Sequence, residues 1–166
     1  MRTFRCATVR RAAGLIRVWL TALECAAAEK LKARVLRSDG VEALVGLLKK
    51  GNLRETLSHA SCTIANLATN GDSNEALLNH GRLVSALCEL SASLTDDSEI
   101  QRHIIRGLAN FALYDSNKAA LVSAVPEIVR LGHVASSDIQ RHAIRAIDNL
   151  LIVRTYRKEA RVCFFR

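Results

Sequence analysis

The sequence predicts an all-α chain built as a stacked solenoid, and three observations lead there. The segments HASCTIANLA from His59, HIIRGLANFA from His103 and HAIRAIDNLL from His142 repeat one another, each with a His seven residues before an Asn. Apolar residues between those landmarks fall at helical spacing, and no strand-like alternation of any length occurs. Asn66, Asn110 and Asn149 are 44 and 39 residues apart, an interval suited to units of three helices once loop length varies. A unit of this kind cannot bury its apolar face alone, so its copies must stack.

Each long helix is preceded by a short helix, a break and a second helix. These stretches read LKARVLRSDGVEALVGLL over 31–48, NEALLNHGRLVSALCEL over 74–90 and NKAALVSAVPEIVRL over 117–131. Gly40 and Gly81 can take the positive φ of a sharp break, and Pro126 suits the first turn of a helix that starts just after Val125. Polar loops follow: GNLRE from Gly51, TDDSE from Thr95 and ASSDI from Ala135. The long helices are then expected over ~54–69, ~98–113 and ~137–153, with Ser98 and Ser137 at their N-cap positions.

Counting back from each Asn at about 100° per residue separates two faces. The positions six and two before it and one after it form the core side: Ala60, Ile64 and Leu67, then Ile104, Leu108 and Phe111, then Ala143, Ile147 and Leu150. Ala60, Gly107 and Ala143 sit where neighbouring helices approach. The Asn, the His seven before it and the residues four and eight before it form one polar stripe, expected to be exposed. It holds His59, His103 and His142, with Cys62, Arg106 and Arg145 at the fourth position and Ser58, Arg102 and Arg141 at the eighth.

The motifs IANLA from Ile64, LANFA from Leu108 and IDNLL from Ile147, with the turns SDGVEALVGLL, NHGRLVSALCEL and SAVPEIVRL, resemble the armadillo repeat. The resemblance covers residues 30–153. It implies a right-handed α-α superhelix of about three three-helix repeats. ANLATNGDSNEALL and RGLANFA are more loosely similar to the tail repeats of armadillo-repeat kinesins. In the family, the polar face of the third helix lines a concave groove whose Asn side chains hold an extended peptide. That role is carried to Asn66, Asn110 and Asn149, since an amide offers a peptide unit both donor and acceptor. Nuclear-import receptors of the family carry Trp at the fourth position and sandwich lysines there, whereas this chain has Cys62, Arg106 and Arg145. A groove with Arg102, Arg106, Arg141 and Arg145 disfavours a basic ligand and favours acidic segments, read by Arg forks and by His when protonated. The bland alternative is a solvated helix face, with Arg106 bonding Asn110 and Arg145 bonding Asn149 within one helix.

Charge divides along the chain. Residues 1–37 hold nine Lys/Arg against two acids, 38–153 ten against thirteen, and 154–166 five against one. The high pI thus belongs to the ends, which weakens a global argument for nucleic-acid binding. Residues 1–29 form a basic N-terminal segment with two readings: the remnant long helix of a degraded repeat, or an Arg-rich presequence for mitochondria. Residues 154–166 are expected to form a basic cap, with Phe164 and Phe165 over the open end of the stack.

Catalytic and cofactor signals are absent. The five cysteines form no ligand spacing, no Gly-rich phosphate loop occurs, and Ser58, His59 and Ser61 lack an acid in register. Helices ~8–10 Å apart cannot bring the three His to one zinc ion. No apolar run approaches the ~18 residues of a membrane span. The unpaired cysteines point to a reducing interior, and the cytoplasm is the expected location, with the nucleus as an alternative. The expected function is a non-catalytic module binding an extended acidic peptide, without cofactors. The competing readings are part of a larger armadillo scaffold or motor tail, stacking through open repeat ends, and nucleic-acid or anionic-membrane binding by the basic termini.

Overall fold

A computed structural model of the chain describes residues 36, 40–49, 51–79 and 81–152. Both termini, and the expectations attached to them, lie outside the described residues. Within them every regular element is helical. The order is α1 (Gly40–Leu47), α2 (Arg54–Leu67), α3 (Gly71–Leu78), α4 (Leu83–Ser93) and α5 (Ser98–Phe111). A 3-10 turn at Asp115–Asn117, α6 (Lys118–Leu121), a second 3-10 turn at Val122–Ala124, α7 (Val125–Gly132) and α8 (Ser137–Leu151) complete it. None of these helices is long and apolar enough to cross a membrane.

The long helices α2, α5 and α8 lie side by side, α5 between the other two, while α4 backs α5 and α7 backs α8. They start where the sequence places them and end two residues earlier. The chain leaves each of α2 and α5 through a tight turn, in which Thr69 N–H donates to the Asn66 carbonyl and Leu113 N–H to that of Asn110.

The core follows the predicted face. Ala60, Ile64, Leu67, Ile104, Leu108, Phe111, Ala143 and Leu150 are buried, and Ile147 packs partly against them. The close approaches also fall as expected. A Cβ added at Gly107 would lie 3.6 Å from Ala65 Cα, and one at Gly132 3.7 Å from Ala143 Cβ.

Repeated asparagines ahead of the long helices hold consecutive units together. Asn74 Nδ2 donates to the Ala68 carbonyl at 2.6 Å, and Asn117 Nδ2 donates to the Phe111 carbonyl and to Asn74 Oδ1, both at 3.2 Å. Ala68 and Phe111 lie at helix C-termini, where carbonyls lose their partners within the helix. The second and third units therefore each open with an amide that satisfies the end of the helix before it.

Three local expectations are corrected. The N-cap of α5 is Asp97 rather than Ser98: its carboxylate accepts from Ile100 N–H at 3.2 Å, and it also accepts from Arg54 at 2.7 Å. A charged acceptor at a helix N-terminus is favoured by the helix dipole, and Ser98 becomes the first helical residue. For α8 the cap position is Ser136 rather than Ser137, in extended backbone and without a side-chain cap bond. Gly81 takes a positive φ, +70°, as does Gly51 at +103°, whereas Gly40 opens α1 as a helical residue. Pro126 sits in the first turn of α7 as expected.

Candidate functional site

The polar residues of the long helices are joined across repeats, not along each helix. Arg106 Nη2 donates to Asn66 Oδ1 at 2.9 Å and lies 3.6 Å from Cys62 Sγ. Arg145 Nη2 donates to Asn110 Oδ1 at 2.8 Å. The intrahelical alternative, Arg106 with Asn110 and Arg145 with Asn149, is replaced by these longer reaches. Each Arg stretches back to the Asn of the unit before it.

The asparagines are placed by the helix ends. In the turn after α2 the N–H groups of Ala68, Thr69 and Asn70 donate to Ile64, Asn66 and Leu67, passing over the Ala65 carbonyl. The turn after α5 passes over the Ala109 carbonyl in the same way. Asn110 Nδ2 donates to Ala65 O at 2.9 Å, and Asn149 Nδ2 to Ala109 O at 3.4 Å. The repeated Asn thus satisfies a carbonyl that the preceding unit leaves without a backbone donor. One amide hydrogen of Asn110 and of Asn149 is so occupied, while Asn66 Nδ2 lies 3.8 Å from Cys62 Sγ; the second amide hydrogen of each, and one lone pair on the Oδ1 of Asn66 and Asn110, are uncommitted to these bonds.

The stripe is less exposed than its spacing suggests. Asn110 is buried at 6% exposure and His103 at 8%, while His59, His142, Asn66 and Asn149 are half-buried. Burial, reinforced by the Arg102 and Arg106 guanidiniums, pushes the His103 imidazole down to about 4. His142 is lowered by the same causes, burial first and then Arg145 and Arg141. The expectation of protonated imidazoles reading acidic groups is therefore corrected for both: they are neutral near pH 7. Their Nδ1 atoms are buried without a partner among the described residues.

The four arginines separate into different roles. Arg141 is exposed and pairs with Asp138 one turn before it, so its charge is compensated. Arg106 is half-buried, with its Nε enclosed and unbonded. Arg145 is exposed and Arg102 half-exposed. No carboxylate pairs with Arg102, Arg106 or Arg145 among the described residues. The Glu99 carboxylate near the start of α5 is engaged by Arg54 at 2.8 Å and Ser58 at 2.9 Å, which hold it below the usual carboxylate range. The two described thiols, Cys62 and Cys88, are free and half-buried; burial pushes Cys88 up to about 12.

The sequence did not reveal the Asn74–Asn117 link or the Arg54–Asp97–Glu99–Ser58 cluster. A signal for the first was present: NEALL and NKAAL both begin with Asn, 43 residues apart.

No family model and no curated protein matches the chain. Solved structures do. The designed armadillo repeat protein YIII(Dq)4CqI superposes with a TM-score of 0.72 at 22% identity, over 81% of this chain and 57% of its own length. The fold is of the armadillo type. A second designed armadillo repeat protein, in complex with the peptide (KR)4, gives a TM-score of 0.68 at 21% identity, over 93% of this chain and 73% of that one. An engineered protein at 30% identity gives 0.67, and this chain spans half its length.

Proposed function

We propose that this armadillo-type chain is a non-catalytic scaffold that binds an extended acidic peptide across α2, α5 and α8. The observation that carries the reading is the set of arginines without carboxylate partners. Arg102, Arg106 and Arg145 put three cations on adjacent long helices, and among the described residues the acids bonded to the stripe are committed elsewhere, Asp138 to Arg141 and Glu99 to Arg54 and Ser58. An Arg fork has five N–H donors, so Arg106 and Arg145 can hold an Asn through Nη2 and still offer donors to a carboxylate. The spare amide hydrogens and lone pairs of Asn66, Asn110 and Asn149 suit a peptide backbone. One designed protein of the same fold is held with a basic peptide, (KR)4. Uncompensated arginines give this chain the opposite preference, because like charges meeting in a groove cost affinity.

The test is charge reversal on the full chain. Arg102→Glu with Arg145→Glu should lower affinity for an acidic peptide by about ten-fold or more, since each desolvated charge pair is worth on the order of 1–3 kcal/mol. Arg106 is spared because it is half-buried with its Nε enclosed, whereas Arg145 is exposed. Acidic-peptide binding that survives both reversals, with the helical spectrum intact, would assign the binding to the basic ends and contradict the proposal.

A further inference from the structure

The outer face of α8 differs from the corresponding faces of α2 and α5. Counting from the Asn of each helix, Ile144, Ile147, Asp148 and Leu151 correspond to Ile105, Leu108, Ala109 and Ala112, and to Ser61, Ile64, Ala65 and Ala68. All eight counterparts are buried beneath the next unit, at 1% exposure or less. On α8, Ile144 is 66% exposed, Ile147 and Leu151 are half-buried, and Ile152 just beyond is 70% exposed. Ile144, Ile147, Asp148 and Leu151, with Val129, Gly132 and His133, line an open concavity of about 260 Å³.

Three features describe what fits this face. It must bring apolar side chains for Ile144, Ile147 and Leu151. It must bring a cation, because Asp148 stands where the other units have the fully buried Ala65 and Ala109, and a carboxylate covered without a partner is costly. It need not bring a repeat's Asn: the Asp148 carbonyl, unlike those of Ala65 and Ala109, accepts a backbone N–H, from Ile152 at 3.2 Å. Another armadillo-type helix meets only the first demand. Residues 154–166 of the same chain, RTYRKEARVCFFR, meet the first two, with five Lys/Arg against one acid and with Tyr156, Val162, Phe164 and Phe165. They are also tethered two residues beyond Ile152, which gives them a high effective concentration at this face.

We propose that residues 154–166 dock on the outer face of α8, their aromatic side chains against Ile144, Ile147 and Leu151 and a basic residue against Asp148. Docked there, the segment covers this face with residues of the same chain in place of a second copy.

Trypsin cleavage of the full chain after Arg157 and Arg161, followed by mass spectrometry, tests this. Ile144→Ser and Asp148→Lys change the face and leave the segment untouched; both sites are exposed, so circular dichroism should be unchanged. Each substitution should speed cleavage about ten-fold if it removes the hold of roughly one buried side chain on a local opening equilibrium. Phe164→Ser with Phe165→Ser should do the same, and adding Ile144→Ser to that pair should have no further effect. Equal cleavage rates in all the proteins would overturn the proposal. So would a wild-type dimer in sedimentation that Ile144→Ser dissociates, since a second copy would then cover the face.

Discussion

Truncating Asn110 to Ala separates the structural duty of the repeated Asn from its duty toward a ligand. In the folded chain Asn110 is buried and its Nδ2 donates to Ala65 O at 2.9 Å, while Oδ1 accepts from Arg145 at 2.8 Å. Its loss leaves the Ala65 carbonyl without the donor that the turn after α2 does not supply, at ~1–3 kcal/mol for an unsatisfied buried acceptor. Arg145 is exposed and returns to water at little cost. The better helix propensity of Ala recovers about 0.5 kcal/mol, so a net loss of ~1–2 kcal/mol is expected. Asn149 is the internal control: it is half-buried and its bond to Ala109 O is 3.4 Å, so Asn149→Ala should cost no more than ~0.5 kcal/mol. Urea denaturation of the full chain reads both values. Equal midpoints for the two variants, or an unchanged one for Asn110→Ala, would refute the argument that the Asn serves the preceding helix.

Other substitutions and conditions test the packing and the titrating groups. Gly107→Ala should stabilise by ~0.5–1 kcal/mol, because its Cβ would meet Ala65 at ordinary contact distance and the helix gains in propensity; a lower melting temperature would contradict this. Ala143→Phe should destabilise by ~1–3 kcal/mol through overpacking against Gly132, and an unchanged melting temperature would mean the wrong face had been placed inward. His103 is held near 4 in the fold against about 6.5 when unfolded, so the unfolded chain binds the extra proton between those values. Its contribution to stability is complete above pH 6.5 and is lost as pH falls toward 4. His103→Gln should flatten that part of the stability–pH curve, and an equally steep curve in the variant would count against the assignment.

The fold was legible because its main signal is periodic. Apolar residues such as Ile104, Leu108 and Phe111 recur at helical spacing in three copies, and that alone places α2, α5 and α8. Cap positions were displaced by one residue because TDDSE and ASSDI each offer several cap-competent side chains in succession. Choosing Asp97 over Ser98 depends on Arg54, 43 residues earlier. The candidate site was legible in composition but not in partnership. Spacing within one helix relates Arg106 to Asn110, whereas only the stacked structure shows Arg106 reaching Asn66 and His103 being covered. An angular count finds the side on which a residue lies, and the next repeat decides how much of that side stays open.

Binding of one acidic and one basic extended peptide of equal length to the full chain, by calorimetry at two salt concentrations, tests the central claim most directly. The wild-type chain should prefer the acidic peptide, with affinity falling as salt rises because charges are screened over about 10 Å at 0.1 M. Arg102→Glu with Arg145→Glu should remove that preference. A wild-type chain that prefers the basic peptide, or an acidic preference that both reversals leave intact, would contradict the account.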